Sequence, residues 1–226
     1  MLLFLKAFFS YGRWSAMGKA LAVLLLTVPA AWAQPMAVIA YGDSLTAGYG
    51  LAEGEGFVPQ LQGWLTAQGQ EVQVLQGGVS GDTTAGGLAR LDWTLTPEVQ
   101  GIIVTLGGND MLRGIDPAVS RAKLKGILQI AQDRGLAILL VGMPGPSNYG
   151  PEYRQAFDAM YPELAAEFGA VFAPSFFEGL GEGSPADLQA LFQADGIHPN
   201  RDGVALIVQA LGPKVQEMIA QIAPRN

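Results

Sequence analysis

Five apolar runs of strand length recur along this chain with amphipathic stretches between them, an alternation that restricts it to a parallel sheet with helices on both faces. The runs are Ala37 to Tyr41, Glu71 to Leu75, Gly101 to Leu106, Ala137 to Met143 and Ala170 to Ala173. Helices are expected over Pro59 to Ala67, Thr84 to Leu91, Pro117 to Arg134, Pro151 to Phe168 and Asp202 to Ile222. Gly135 and Gly169 each stand directly before the next strand, where left-handed C-terminal caps belong. No linker or composition shift interrupts the pattern, so residues 34–226 read as a single domain. With 226 residues, 50% of them hydrophobic, such a domain can bury a full core. It has no cysteine, which removes disulfides, thiolate catalysis and Cys-ligated zinc.

The N-terminus has a different pattern. Met17-Gly18-Lys19 precedes the apolar run Ala20 to Ala31, and Ala31-Trp32-Ala33 supplies the small residues that signal peptidase reads. Residues 1–33 are expected to be a signal peptide, with Met17 as an alternative start, and cleavage near Ala33 would leave a periplasmic or secreted protein. A stable membrane anchor is not expected, because the run is short for a bilayer and contains Pro29. The formal net charge is −7 and no basic run is present, so nucleic acid is not an expected partner.

Open parallel sheets bind ligands beyond the carboxyl ends of their strands. The first three strands run into Gly42-Asp43-Ser44-Leu45, Gly77-Gly78-Val79-Ser80-Gly81-Asp82 and Gly107-Gly108-Asn109-Asp110, and Asp195-Gly196-Ile197-His198-Pro199-Asn200 precedes the last helix. If these segments converge, they hold the parts of an acyl-transfer site. A serine hydroxyl needs an adjacent base, and His198 is the only histidine. Asp195, three residues earlier, can turn back to fix the imidazole tautomer. The backbone N–H groups of Ser44 and Gly81 and the amide of Asn109 can supply an oxyanion hole.

These four segments resemble, in order, the motif blocks of the GDSL, or SGNH, family of serine hydrolases. Ser80-Gly81-Asp82-Thr83, the run Gly87 to Leu91, Asn148-Tyr149-Gly150 and the segment Asp195 to Asp202 are similar to the periplasmic acyl-CoA thioesterase I, lysophospholipase L1 and arylesterase group. The resemblance implies an α/β, flavodoxin-like three-layer sandwich with strand order 2-1-3-4-5. It also implies a Ser44-Asp195-His198 triad and an oxyanion hole from Ser44, Gly81 and Asn109. Small esters or thioesters with acyl or aryl groups would be the substrates, without metal or cofactor.

Several residues admit plainer roles. Asp43 can cap the following segment, and Asp82, Asp110 or Asp202 can orient His198 in place of Asp195 or simply bond within their loops. Ser80 is a second candidate nucleophile or a turn residue. Met111, Leu112, Ile115, Pro146 and Tyr149 are candidate substrate contacts, and Tyr49 and Leu51 also flank the blocks; loop packing explains all seven equally well. Arg113 can meet an anionic head group or remain in solvent. Two alternative functions share the pattern: a carbohydrate O-deacetylase of the same family, and a flavodoxin-like protein binding a phosphate-bearing cofactor on the first loop.

Overall fold

The computed structural model describes residues 36–181 and 185–222, so the expected signal peptide lies outside the described residues. In chain order they form β1 (Met36–Gly42), α1 (Ser44–Ala47), α2 (Phe57–Ala67), β2 (Val72–Gly78), α3 (Thr84–Thr94), β3 (Val99–Thr105), α4 (Gly108–Leu112) and α5 (Pro117–Asp133). There follow β4 (Ala137–Val141), α6 (Pro151–Phe168), β5 (Val171–Ala173), a 3₁₀ turn at Glu178–Leu180, α7 (Pro185–Gln189) and α8 (Arg201–Ile219). The strands are all parallel, in the order β2-β1-β3-β4-β5. Helices α2 and α8 pack together on one face, while α3, α5 and α6 form a row on the other. This is the α/β/α sandwich expected.

The central strand explains the apolar runs. From Ala37 to Gly42 every residue of β1 is buried, because neighbours pair on both edges and helices cover both faces. Val38, Ile102, Ile103 and Leu139 are fully enclosed, each such side chain contributing about 2 kcal/mol by leaving water. Phe57, Leu61 and Leu65 of α2 and Ile207, Leu211 and Val215 of α8 close the core from one side. Leu91, Leu124, Leu128, Phe157 and Leu164 close it from the other.

Some boundaries differ from the sequence expectation. β2 continues through Gly77 and Gly78, which pair with Tyr41 and Gly42 instead of turning. Glycine is required there by packing: a side chain on Gly78 would strike the backbone of Thr46 and Ala47, and one on Gly77 the carbonyl of Ala40. α2 begins at Phe57, two residues before Pro59, since a helix's first turn tolerates a missing N–H. β4 ends at Val141, two residues before the run does, because Gly142 packs against Pro174 and bonds Ala173 beyond the strand. The short helices α1, α4 and α7 are too brief for any hydrophobic period to reveal. Among the described residues no helix is long and apolar enough to cross a membrane.

This topology determines where a site can form. The connection from β1 runs through α2 on one face and that from β2 through α3 on the opposite face, so the crevice opens at the carboxyl end of β1. Gly42 pairs with Gly78 on one side and Thr105 on the other, so β1, β2 and β3 end level. The three glycine-rich segments therefore emerge side by side.

Candidate active site

The Ser44 segment turns sharply as it leaves the sheet. Asp43 caps α1, its Oδ1 accepting the N–H of Leu45 at 3.0 Å, and this places Ser44 at the first helical position. There the backbone N–H of Ser44 has no intrahelical acceptor. Gly42 cannot carry a side chain, because its Cβ would overlap the hydroxyls of Thr46 and Thr105, which bond each other beneath the turn. Arg90 of α3 fastens the turn to its neighbour: it donates to the carbonyl of Gly42 at 2.9 Å, pairs with Asp82 and lies over the Tyr41 ring, 4.1 Å from its centroid.

The second and third segments flank it. Val79 donates to the carbonyl of Gly42 at 3.0 Å, and Gly81 then adopts φ 83°, a left-handed conformation that favours glycine. Among the described residues no acceptor takes the Gly81 N–H. Asn109 lies in α4, and its Nδ2 donates to Oδ2 of Asp43 at 3.3 Å. Asp110, fully buried, accepts the backbone N–H of Thr84 at 2.8 Å and the hydroxyls of Thr84 and Ser120 at 2.6 and 2.8 Å. It thereby ties α4 to α3 and α5.

The fourth segment comes from the far end of the chain. Asp195 folds back on itself, with Oδ1 accepting the N–H groups of Ile197 and His198 at 2.9 and 3.0 Å while Oδ2 meets His198 Nδ1 at 2.7 Å. Gly196 makes the turn possible with φ 68°. The opposite ring nitrogen, Nε2, lies 2.8 Å from Ser44 Oγ. The N–H groups of His198 and Ile197, then the imidazole, hold the Asp195 carboxyl down to a pKa of about 2. Asp43 is pushed the other way, to about 6, by burial that its bonds to Leu45 and Asn109 only partly offset.

The bonds of the His198 loop are mostly local. Gln193 donates its N–H to the His198 carbonyl at 2.8 Å, and Asn200 donates to Leu191. Besides the His198–Ser44 bond, a tie to the Ser44 side comes from the Gln193 side chain, whose Nε2 donates to the carbonyls of Tyr49 at 2.7 Å and Pro199 at 3.1 Å. The Tyr49 ring packs against the imidazole, with centroids 4.7 Å apart.

Ser44, Ser80, Gly81, Asn109 and His198 all open on one cleft of about 440 Å³. Its wall is apolar, built from Leu45, Met111, Met143, Phe177 and Phe192, with Leu112, Tyr49 and Ile197 near the mouth. Of the candidate substrate contacts, Met111 and Leu112 line this cleft, whereas Ile115, Pro146 and Tyr149 do not. Tyr149 instead packs on Tyr153, whose hydroxyl holds the Ile115 carbonyl at 2.9 Å. Arg113 spends one guanidinium nitrogen on the Gly81 carbonyl at 2.7 Å.

Leu45, Met143, Phe177, Phe192 and Ile197 were not anticipated as lining residues. Met143 follows the end of β4, so the strand-end rule is the signal that points to it. Phe177 and Phe192 have no local signal. Two competing carboxylates are engaged elsewhere, Asp82 by Arg90 and Asp110 by Thr84 and Ser120, while Asp202 lies exposed in the first turn of α8. Among the described residues no group of three or more His, Asp or Glu side chains gathers as a metal site.

Chemically, carboxylate, imidazole and hydroxyl form one hydrogen-bonded chain, which can carry the Ser44 proton away as Oγ attacks a carbonyl. A model of the GDSL-like lipase/acylhydrolase family matches residues 40–206. The chain is 40% identical to the protein named esterase TesA of Pseudomonas aeruginosa over 200 residues, 88% of this chain and 96% of that protein. It is 35% identical to thioesterase 1/protease 1/lysophospholipase L1 of Escherichia coli over 199 residues, 87% of this chain and 90% of the relative. The crystal structure of AlinE4, an SGNH-hydrolase family esterase, superposes with a TM-score of 0.67 at 40% identity, covering 81% of this chain and 96% of that one.

Proposed function

This chain belongs to the GDSL-like lipase/acylhydrolase family and is a carboxylic ester hydrolase, and from that premise we propose that it works through an acyl-Ser44 intermediate. Ser44 Oγ attacks the carbonyl carbon while His198 Nε2 takes its proton. Asp195 keeps the imidazole's Nδ1–H directed to itself and stabilises the imidazolium. The developing oxyanion is received by the N–H groups of Ser44 and Gly81 and the Asn109 amide. His198 then protonates the leaving oxygen or sulfur as the C–O or C–S bond breaks; the same imidazole next takes a proton from the water that attacks the acyl carbon, and returns it to Ser44 Oγ as the acyl–Oγ bond breaks and the acid leaves. The observation that carries this reading is the continuous chain from Asp195 to His198 to Ser44, at 2.7 and 2.8 Å, opening on an apolar cleft.

The apolar wall suits an acyl or aryl group, so esters and thioesters of small carriers are the proposed substrates. Export to the periplasm or medium is proposed from Ala20 to Ala33, and would be checked by finding a mature N-terminus at Gln34 in that fraction. A fluorophosphonate should label Ser44 one-to-one, and labelling at Ser80 instead would overturn the assignment. A panel of p-nitrophenyl esters beside acyl-CoA, lysophospholipid and acetylated xylan should show activity rising beyond the acetyl ester. Highest activity on the xylan would identify a carbohydrate deacetylase.

A further inference from the structure

We propose that Asp43 is a positioning residue of the oxyanion hole: its carboxylate determines which end of the Asn109 amide faces the cleft. The proposal rests on the acyl-Ser44 reading above. The two ends of an asparagine amide are nearly equal in size but opposite in hydrogen-bonding sense. An N–H aimed at the developing oxyanion stabilises it; the carbonyl oxygen in that place would repel it. Something must specify the orientation before substrate arrives.

Asp43 is placed to do so. It is 1% exposed, so its carboxylate depends mainly on donors from the protein. Oδ1 is taken by the Leu45 N–H, and Oδ2 accepts from Asn109 Nδ2. An ionised carboxylate only accepts, so it favours the amide with nitrogen toward it and oxygen away. One N–H is then spent on Asp43 and the other remains for the cleft. Gly108 keeps the seat open, since a Cβ there would stand 3.2 Å from Oδ2.

Capping alone does not explain an aspartate here. Serine or asparagine caps a helix as well without burying a charge, whose cost is visible in the carboxyl pushed up to about 6. Those neutral groups both donate and accept, however, and so would hold either end of the amide. The same carboxylate also sets the start of α1, so nucleophile and oxyanion donor, from two different strand ends, are referenced to one group.

The decisive variant is Asp43→Asn, which retains shape and a capping oxygen but loses the acceptor-only character. We expect kcat to fall about 10- to 100-fold with KM within about twofold, and affinity for a tetrahedral boronate adduct to fall by the same factor. In an Asn109→Ala background, the further substitution of Asp43 should change kcat less than about threefold, because there is no amide left to orient. Equal losses with and without the Asn109 amide, or an unchanged kcat, would overturn the proposal. Should Asp43→Asn fail to fold, the wild-type protein still decides: of the two Asn109 side-chain N–H protons, assigned by their loss in Asn109→Ala, one should lie well downfield of the ordinary amide range and exchange slowly with solvent. Two protons at ordinary shifts, both exchanging rapidly, would refute it. Failure of the underlying mechanism would appear separately, as activity retained by Ser44→Ala.

Discussion

Asp43 and Asp195 border the same hydrogen-bonded site, yet their carboxyls titrate in opposite directions, to about 6 and about 2. Asp43 belongs to the sheet edge, where three strands end level and burial penalises its charge. Asp195 belongs to an exposed turn, where two backbone N–H groups and the imidazole reward its charge. The contrast extends to the regions themselves. On the sheet side, position comes from strand register and from Arg90 and Asp110, which lash neighbouring segments together. On the histidine side, position comes from a local turn and the side chain of Gln193. An oxyanion hole needs fixed dipoles, whereas a base must exchange protons with substrate and water, and the two surroundings suit those demands.

The strongest test of the division is His198→Ala, which should lower kcat by about 10⁴-fold or more while leaving the melting temperature nearly unchanged, since most of the loop's own bonds do not use the imidazole. Hydrolysis within tenfold of wild type would place the base elsewhere. Next in size, Asp195→Asn should cost about 10³- to 10⁴-fold in kcat by releasing the tautomer. With its carboxyl held near 2, Asp195 should leave no inflection in the kcat/KM profile above about pH 4; an inflection there that vanishes in Asp195→Asn would contradict the assigned shift. Gln193→Ala should lower kcat about tenfold by loosening the strap between the Tyr49 and Pro199 carbonyls. An unchanged kcat would mean that the turn needs no tie to the sheet side.

The smallest effect concerns stability. Asp43 binds its proton more tightly in the fold, at about 6, than in the unfolded chain, at 3.8. Between those values the native state retains a proton that the unfolded state has lost, so this group's contribution to stability falls as pH rises through about 4 to 6. Asp195 has the opposite sign, its contribution being present above 3.8 and lost as pH falls toward about 2. Urea midpoints of Asp43→Asn, compared with wild type across pH 4 to 7, should show the decline flattened in the variant. A parallel pair of curves would contradict the assigned burial effect.

Much of this was legible in local pattern. The apolar alternation specifies five strands and the main helices because burial on both faces of a parallel sheet leaves few polar positions. The motif blocks could be located at strand ends, since glycine and short polar residues stand out after apolar runs. What could not be read locally was where β2 stops, since Gly77 and Gly78 look like a turn until Ala40 and Ala47 are seen to leave no room beside them. For the partner of His198 the motif resemblance pointed to Asp195, but local pattern left Asp82, Asp110 and Asp202 open; the structure puts Asp195 against the imidazole and engages Asp82 and Asp110 with Arg90, Thr84 and Ser120. Phe177 and Phe192 became cleft wall only because the segments after β5 return to the carboxyl edge. The sequence by itself therefore determined the elements and the chemical parts, because periodicity and turn propensity act over a few residues. Tertiary structure alone decided that Ser44 Oγ and His198 Nε2, 154 residues apart, stand 2.8 Å from each other, because that distance depends on strand register and on a strap from Gln193 that has no local signature.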